Sequence, residues 1–112
     1  MVSIRRVYEP AGENDGYRVL VDRLWPRGLK REDAAIDEWA KTVAPSAALR
    51  QWFGHKPERW VEFEKKYRAE LREGAAAEAL AALGRRKGRM TLLTATRDLD
   101  HSHALVLQRL LA

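Results

Sequence analysis

Val19-Leu20-Val21-Asp22-Arg23-Leu24-Trp25-Pro26-Arg27-Gly28 is the stretch that decides how this chain folds. Three aliphatic residues, two of them β-branched, predict a buried strand. The character then changes at once. An acid, two arginines and a tryptophan follow, with Pro26 and Gly28 as chain breakers. A buried strand running into a charged loop is how α/β folds present sites at the carboxyl ends of their strands.

The chain repeats the pattern near its other end. Met90-Thr91-Leu92-Leu93-Thr94-Ala95 reads as a strand buried on both faces, followed by Thr96-Arg97-Asp98 and then His101-Ser102-His103. The expectation is that these two strand-end loops meet and form a site.

Between them the order is strand, strand, helices, strand, helix. Ser3–Tyr8 alternates weakly and is expected as a first strand, Pro10–Gly16 as a loop and Tyr17–Arg23 as the second strand. Lys30–Asp33 suits a helical turn, and Ile36–Val43, ending at Pro45, is read as extended. Ser46 is an N-cap for a helix through Phe53 that Gly54 ends. Pro57 opens the next helix, where Trp60, Phe63, Tyr67 and Leu71 form one apolar stripe. Glu62–Lys66 and Glu64–Arg68 have the spacing of supporting ion pairs, and Gly74 is expected to close this helix. Ala75–Leu83 is rich in alanine, the best helix former. Asp98 or Asp100 is expected to cap a last helix reaching Leu111. The fold class is therefore α/β: a small, mainly parallel sheet of about four strands with helices packed around it, residues 1–112 forming a single domain.

At 112 residues the chain can bury a real core without staples. Without cysteine it has no disulfide, thiolate nucleophile or zinc–thiolate site. Met1–Arg6 lacks the apolar stretch of a signal peptide, and no run approaches membrane-spanning length. A cytoplasmic protein with no membrane partner is expected. The net charge of +5 favours anionic partners. With 33% charged residues, interleaved and without a basic tail, solvated helix faces account for most of it.

Five stretches in order, VLVDRLWPRGL (Val19–Leu29), DEWAKTVAPS (Asp37–Ser46), LRQWFGHKP (Leu49–Pro57), YRAEL (Tyr67–Leu71) and TLLTATRDLDHSHALVL (Thr91–Leu107), resemble the YeaO-like proteins of the domain of unknown function 488 family. The resemblance implies a bacterial-type, cytoplasmic α/β domain and no particular reaction. Thr94 stands where relatives often carry an aromatic residue, and Ser102 where asparagine is common. Longer members carry a cysteine near the C-terminal histidines; this chain has none, so their thiol chemistry does not transfer.

Several side chains carry candidate chemistry. Arg23 and Arg27 are forks suited to phosphate or carboxylate. Asp22 serves as a base, orients an arginine, or forms an internal ion pair. Arg97 and Asp98 precede a helix N-terminus, an anion site by nature, with Asp98 also a simple cap. Two residues apart on a helix, His101 and His103 would diverge by about 200°, which argues against a shared metal. His103 is then expected to point toward the sheet, hydrogen-bonded and partly buried, leaving His101 to face the loops as an acid–base group. Trp25 is expected in the pocket wall, and His55 either folds over the site or caps a helix. No cofactor or metal is expected. The favoured reading is an enzyme-like pocket for a small anionic or phosphorylated ligand, with Asp22 and His101 handling protons and Arg23, Trp25, Arg27, Arg97, Asp98 and His55 binding. The alternatives are a nucleic-acid or protein-binding module with a basic surface, and a metal site built from His55, His101 or His103 with Asp98.

Overall fold

A computed structural model describes all residues 1–112. Four parallel strands, β1 (Val2–Arg6), β2 (Tyr17–Leu20), β3 (Glu38–Trp39) and β4 (Met90–Thr94), form one sheet in the order β1-β4-β2-β3. The two most apolar strands therefore sit in the middle, where both faces and both edges are covered. Val19, Leu20, Leu92 and Leu93 are 0% exposed. Each such side chain contributes about 1.5–3 kcal/mol by leaving water.

Alternation divides these residues between two cores. Val19, Val21, Met90 and Leu92 face the helices; Leu20, Leu93 and Val7 face the opposite way. Helices α1 (Ala47–Phe53), α2 (Trp60–Glu70), α3 (Gly74–Gly84) and α4 (His103–Leu111) all pack on the first face. The second face is covered without a helix, by Trp25, Leu29 and Ile36 of the β2–β3 connection and by Trp39 of β3.

Local signals set most of the boundaries. Ser46 Oγ accepts from Leu49 N at 3.1 Å, and Gly54 ends α1 in the left-handed region. Pro57 opens a 3-10 turn that leads into α2. On α2, Phe63, Tyr67 and Leu71 are buried, and Glu64 pairs with Arg68 at 3.0 Å. The Tyr67 hydroxyl donates to the Val43 carbonyl, which satisfies a buried polar group on each side.

Three expectations are corrected. Gly74 does not close α2; that helix ends at Glu70, capped by Leu71, and Gly74 is the first residue of α3. Ile36–Val43 is extended only at Glu38–Trp39 and then tightens into a 3-10 turn, Lys41–Val43, which buries Val43. The last helix is capped by Ser102, not by Asp98 or Asp100, because a 3-10 turn at Leu99–His101 intervenes. No helix is long and apolar enough to cross a membrane.

Two buried threonines on β4 bracket its neighbour β2. Thr91 Oγ1 donates to the Asp15 carbonyl before β2, and Thr94 Oγ1 donates to the Asp22 carboxylate after it, both at 2.7 Å. Asp15 is itself buried and receives Gly12 N, Arg5 and Arg18, so the Pro10–Gly16 loop is pinned to the sheet. At Gly16, φ is +68° and an added Cβ would collide with the Arg89 carbonyl. Gly16→Ala is therefore expected to destabilise the protein by at least about 2 kcal/mol, combining backbone strain and overlap. A urea unfolding midpoint equal to that of the parent would contradict this.

Candidate functional site

The carboxyl ends of β1, β2 and β4 open on a cavity of about 670 Å³. That is within the range of ligand pockets, about 300–1,000 Å³. Its wall takes Tyr8 from beyond β1, residues 22–27 from beyond β2, and Ala95 and Thr96 from beyond β4. Helix α1 and the turn after it add Arg50 and His55; the turn before α4 adds His101 and Ser102, and α4 opens with His103.

Asp22 is the hub. Its carboxylate receives Thr94 Oγ1 at 2.7 Å and Ala95 N at 2.8 Å, and lies 3.2 Å from His103 Nε2. Its carbonyl accepts Trp39 Nε1–H at 2.7 Å. Burial pushes the Asp22 carboxyl up, but the hydrogen bond and charge of His103, with the Ala95 N–H and the Thr94 hydroxyl, outweigh it and hold the group below its ordinary value.

His103 Nε2 also lies 3.0 Å from the Val21 carbonyl. Carbonyl and ionised carboxylate oxygens only accept, so Nε2 carries a hydrogen shared between Val21 and Asp22. His101 is tied by its other nitrogen: Nδ1 donates to Asp98 at 2.7 Å, and the ring stands edge-on to Trp60 at 5.6 Å. The His101 bond, against slight desolvation, keeps the Asp98 carboxyl below its usual range.

The reasoning that these imidazoles diverge assumed one continuous helix. Instead His101 ends a 3-10 turn, Ser102 is extended at ψ 145°, and His103 begins α4. That break turns both rings onto the same cavity. No three His, Asp or Glu side chains converge as metal ligands do.

The wall carries Arg23, Arg27 and Arg50 against a single carboxylate, Asp22. The Arg23 guanidinium donates to the Ala44 and Pro45 carbonyls at 3.3–3.4 Å and has no acidic partner, so its charge is oriented but not neutralised. Arg27 is exposed, and its carbonyl accepts the Tyr8 hydroxyl at 3.0 Å, tying two loops together. Trp25 braces the same loop: its Nε1–H donates to the Leu29 carbonyl at 2.6 Å, its ring meets Trp39 at 5.5 Å, and Arg31 covers it at 4.5 Å. His55 is exposed on the turn after α1.

Among the residues singled out in the sequence, Asp22, Arg23, Trp25, Arg27, His55 and His101 share this wall. Arg97 is exposed and lies outside the lining, as does Asp98, which reaches the cavity only through His101. Sequence reasoning missed Tyr8 and Arg50. The rule that sites gather at carboxyl strand ends, applied to β1, would have found Tyr8. Arg50 follows the buried Leu49 directly, which places it on the flank of α1.

The family described as the inactive DUF488-N3 subclade matches residues 1–112. An uncharacterized protein of Mycobacterium tuberculosis is 48% identical over 112 residues, covering 98% of this chain and 92% of its own length. The uncharacterized protein YeaO of Escherichia coli is 42% identical over 106 residues, covering 95% and 92% respectively. No solved structure matches the chain.

The Asp22 geometry sets the acid response. Its folded value lies below the ordinary 3.8, so between the two values the unfolded chain holds the extra proton. The stabilisation is complete well above 3.8 and is lost as pH falls through the folded value. Asp22→Ala, which strands the Ala95 N–H and the Thr94 hydroxyl, is expected to cost about 1–3 kcal/mol at neutral pH. Asp22→Asn is expected to flatten the acid limb of stability against pH, measured by urea unfolding; an unchanged acid slope would refute this assignment.

Proposed function

The chain belongs to the DUF488 family, within the branch described as the inactive DUF488-N3 subclade, and from that premise we propose that its cavity binds a small anionic ligand without turning it over. The ligand bears a phosphate or a carboxylate and sits at the carboxyl ends of the strands. The observation that carries this reading is the charge of the wall. Three arginines face a cavity whose one carboxylate is already engaged by a hydroxyl, a backbone N–H and an imidazole. An anion is the species that balances such a wall.

Arg23, Arg27 and Arg50 supply the charge. His101, held through Nδ1 by Asp98, offers its remaining nitrogen to the ligand. Asp22 positions His103 and the two strand-end loops in this reading, instead of acting as a base. Trp25 keeps its loop in place, and His55 stands at the rim.

The nearby hydroxyls favour binding over chemistry. Ser102 Oγ caps α4 through Ala104 N. Thr94 Oγ1 is held by Asp22. Ser46 Oγ donates to Glu70 at 2.6 Å while capping α1. None is hydrogen-bonded to an imidazole, and the two that donate to carboxylates, Thr94 to Asp22 and Ser46 to Glu70, also serve the backbone, at Thr96 N and at the α1 cap. The basic residues Arg85, Arg86, Lys87 and Arg89 precede β4, at the other end of the sheet, so positive charge does not form one continuous face. This favours a pocket ligand over an extended nucleic acid, and in this reading the pocket works in the cytoplasm.

Calorimetric titration with inorganic phosphate at low ionic strength tests the proposal. Binding is expected to weaken with added salt and to fall about tenfold in Arg50→Gln, the loss of one charge-assisted hydrogen bond. Arg50 is exposed, so the variant is expected to keep the parent's circular dichroism spectrum. Absence of phosphate and carboxylate binding, or affinity equal to the parent's in both Arg50→Gln and Arg23→Gln, would overturn the reading.

A further inference from the structure

The cavity is much larger than an inorganic anion needs, and its mouth is not uniformly polar. Five large hydrophobic side chains are left in solvent: Met1, Tyr8, Leu24, Val61 and Leu110. Two of them, Leu24 at 67% and Tyr8 at 44% exposure, belong to the cavity wall. The other three do not line it.

Both lie among anchored residues. Leu24 lies between Arg23, anchored to the Ala44 and Pro45 carbonyls, and Trp25, anchored to the Leu29 carbonyl. Leu24 itself is exposed in the cavity wall between these two anchored residues. Tyr8 is anchored by its hydroxyl, which donates to the Arg27 carbonyl, and the Arg6 guanidinium lies over its ring, 5.3 Å from the ring centre. An anchored aromatic ring and an exposed aliphatic side chain thus flank an electropositive hollow. Gln51 and Thr96 add neutral polar atoms to the wall.

Resting on the anion-pocket reading, we infer that the ligand is a phosphate monoester of a planar ring system, an aryl or nucleoside monophosphate. The phosphate takes the arginine side of the cavity, and the ring covers Tyr8 and Leu24. A phosphate dianion suits a wall whose positive excess is greater than one charge. A flat ring offers its face to the exposed part of Tyr8 and apolar area to Leu24, the two exposed hydrophobic side chains of the wall. A bare anion would leave both in water and most of the 670 Å³ unfilled.

Calorimetric titration with inorganic phosphate, ribose 5-phosphate, phenyl phosphate and adenosine monophosphate separates the alternatives. The two ring phosphates are expected to bind at least about tenfold tighter than the other two, since about 1.4 kcal/mol of stacking and burial yields that factor. Leu24→Ser is expected to cut the ring phosphates' affinity about threefold to fivefold and leave inorganic phosphate unchanged. Tyr8→Ala is expected to act in the same direction. Equal affinity for all four, or ring preference untouched in both variants, would overturn the inference while leaving the anion pocket standing. Binding of none of the four would overturn this inference, and absence of carboxylate binding as well would overturn the anion pocket.

Discussion

A buried carboxylate must be fully met by donors, and in this chain the donors of Asp22 come from everywhere else in the fold. Thr94 and Ala95 bring the end of β4, and His103 brings the start of α4. Its own backbone carbonyl takes Trp39 from β3. The residue directly after Val21 thus fixes three separate segments in space. The sheet order requires β2 and β4 to be neighbours, and the Asp22 bonds require their outgoing loops to leave side by side. Those two loops form one side of the cavity, which α1, its following turn and the start of α4 complete. Because β2 and β4 are parallel, both loops emerge at the same end, which an antiparallel pair would not allow.

The strands, the α1 cap and the α2 stripe were legible because each rests on a local rule. β-branched runs give strands, a serine before a helix caps it, and three- and four-residue spacing gives a buried face. Val19, Ser46 and Phe63 follow those rules, and the tertiary contacts they make act in the same direction. Gly74 was misplaced because glycine both ends helices and opens turns, and the choice depends on where α3 must start. The cap of α4 was ambiguous for a similar reason. Asp98, Asp100 and Ser102 are all competent caps, and only packing selects Ser102, which is 1% exposed. The buried Asp15 network left no local trace, since its partners lie on β1, β2 and β4.

The candidate wall was legible for the same residues that follow β2, and obscure where it depended on a helix flank or on a second strand end. Arg50 and Tyr8 contribute by position, not by any motif. Arg97, next to a strand end and before a helix, has every sequence feature of a wall residue and yet is turned into solvent. Adjacency in sequence to a strand end fixes the backbone, while alternation fixes which side chains look inward.

Ser102 shows how one backbone setting converts a fold feature into a site feature. On an unbroken helix the two histidines around it would face apart. An extended Ser102 satisfies the first turn of α4 by accepting from Ala104 N, and the same conformation swings His101 back over the cavity. The rings then play unequal parts. His103 commits Nε2 to Val21 and Asp22, which makes it part of the scaffold. His101 commits Nδ1 to Asp98, a carboxylate outside the cavity, and that bond fixes which of its nitrogens is left over. The same short turn therefore makes one imidazole part of the scaffold and leaves a nitrogen of the other uncommitted at the cavity wall.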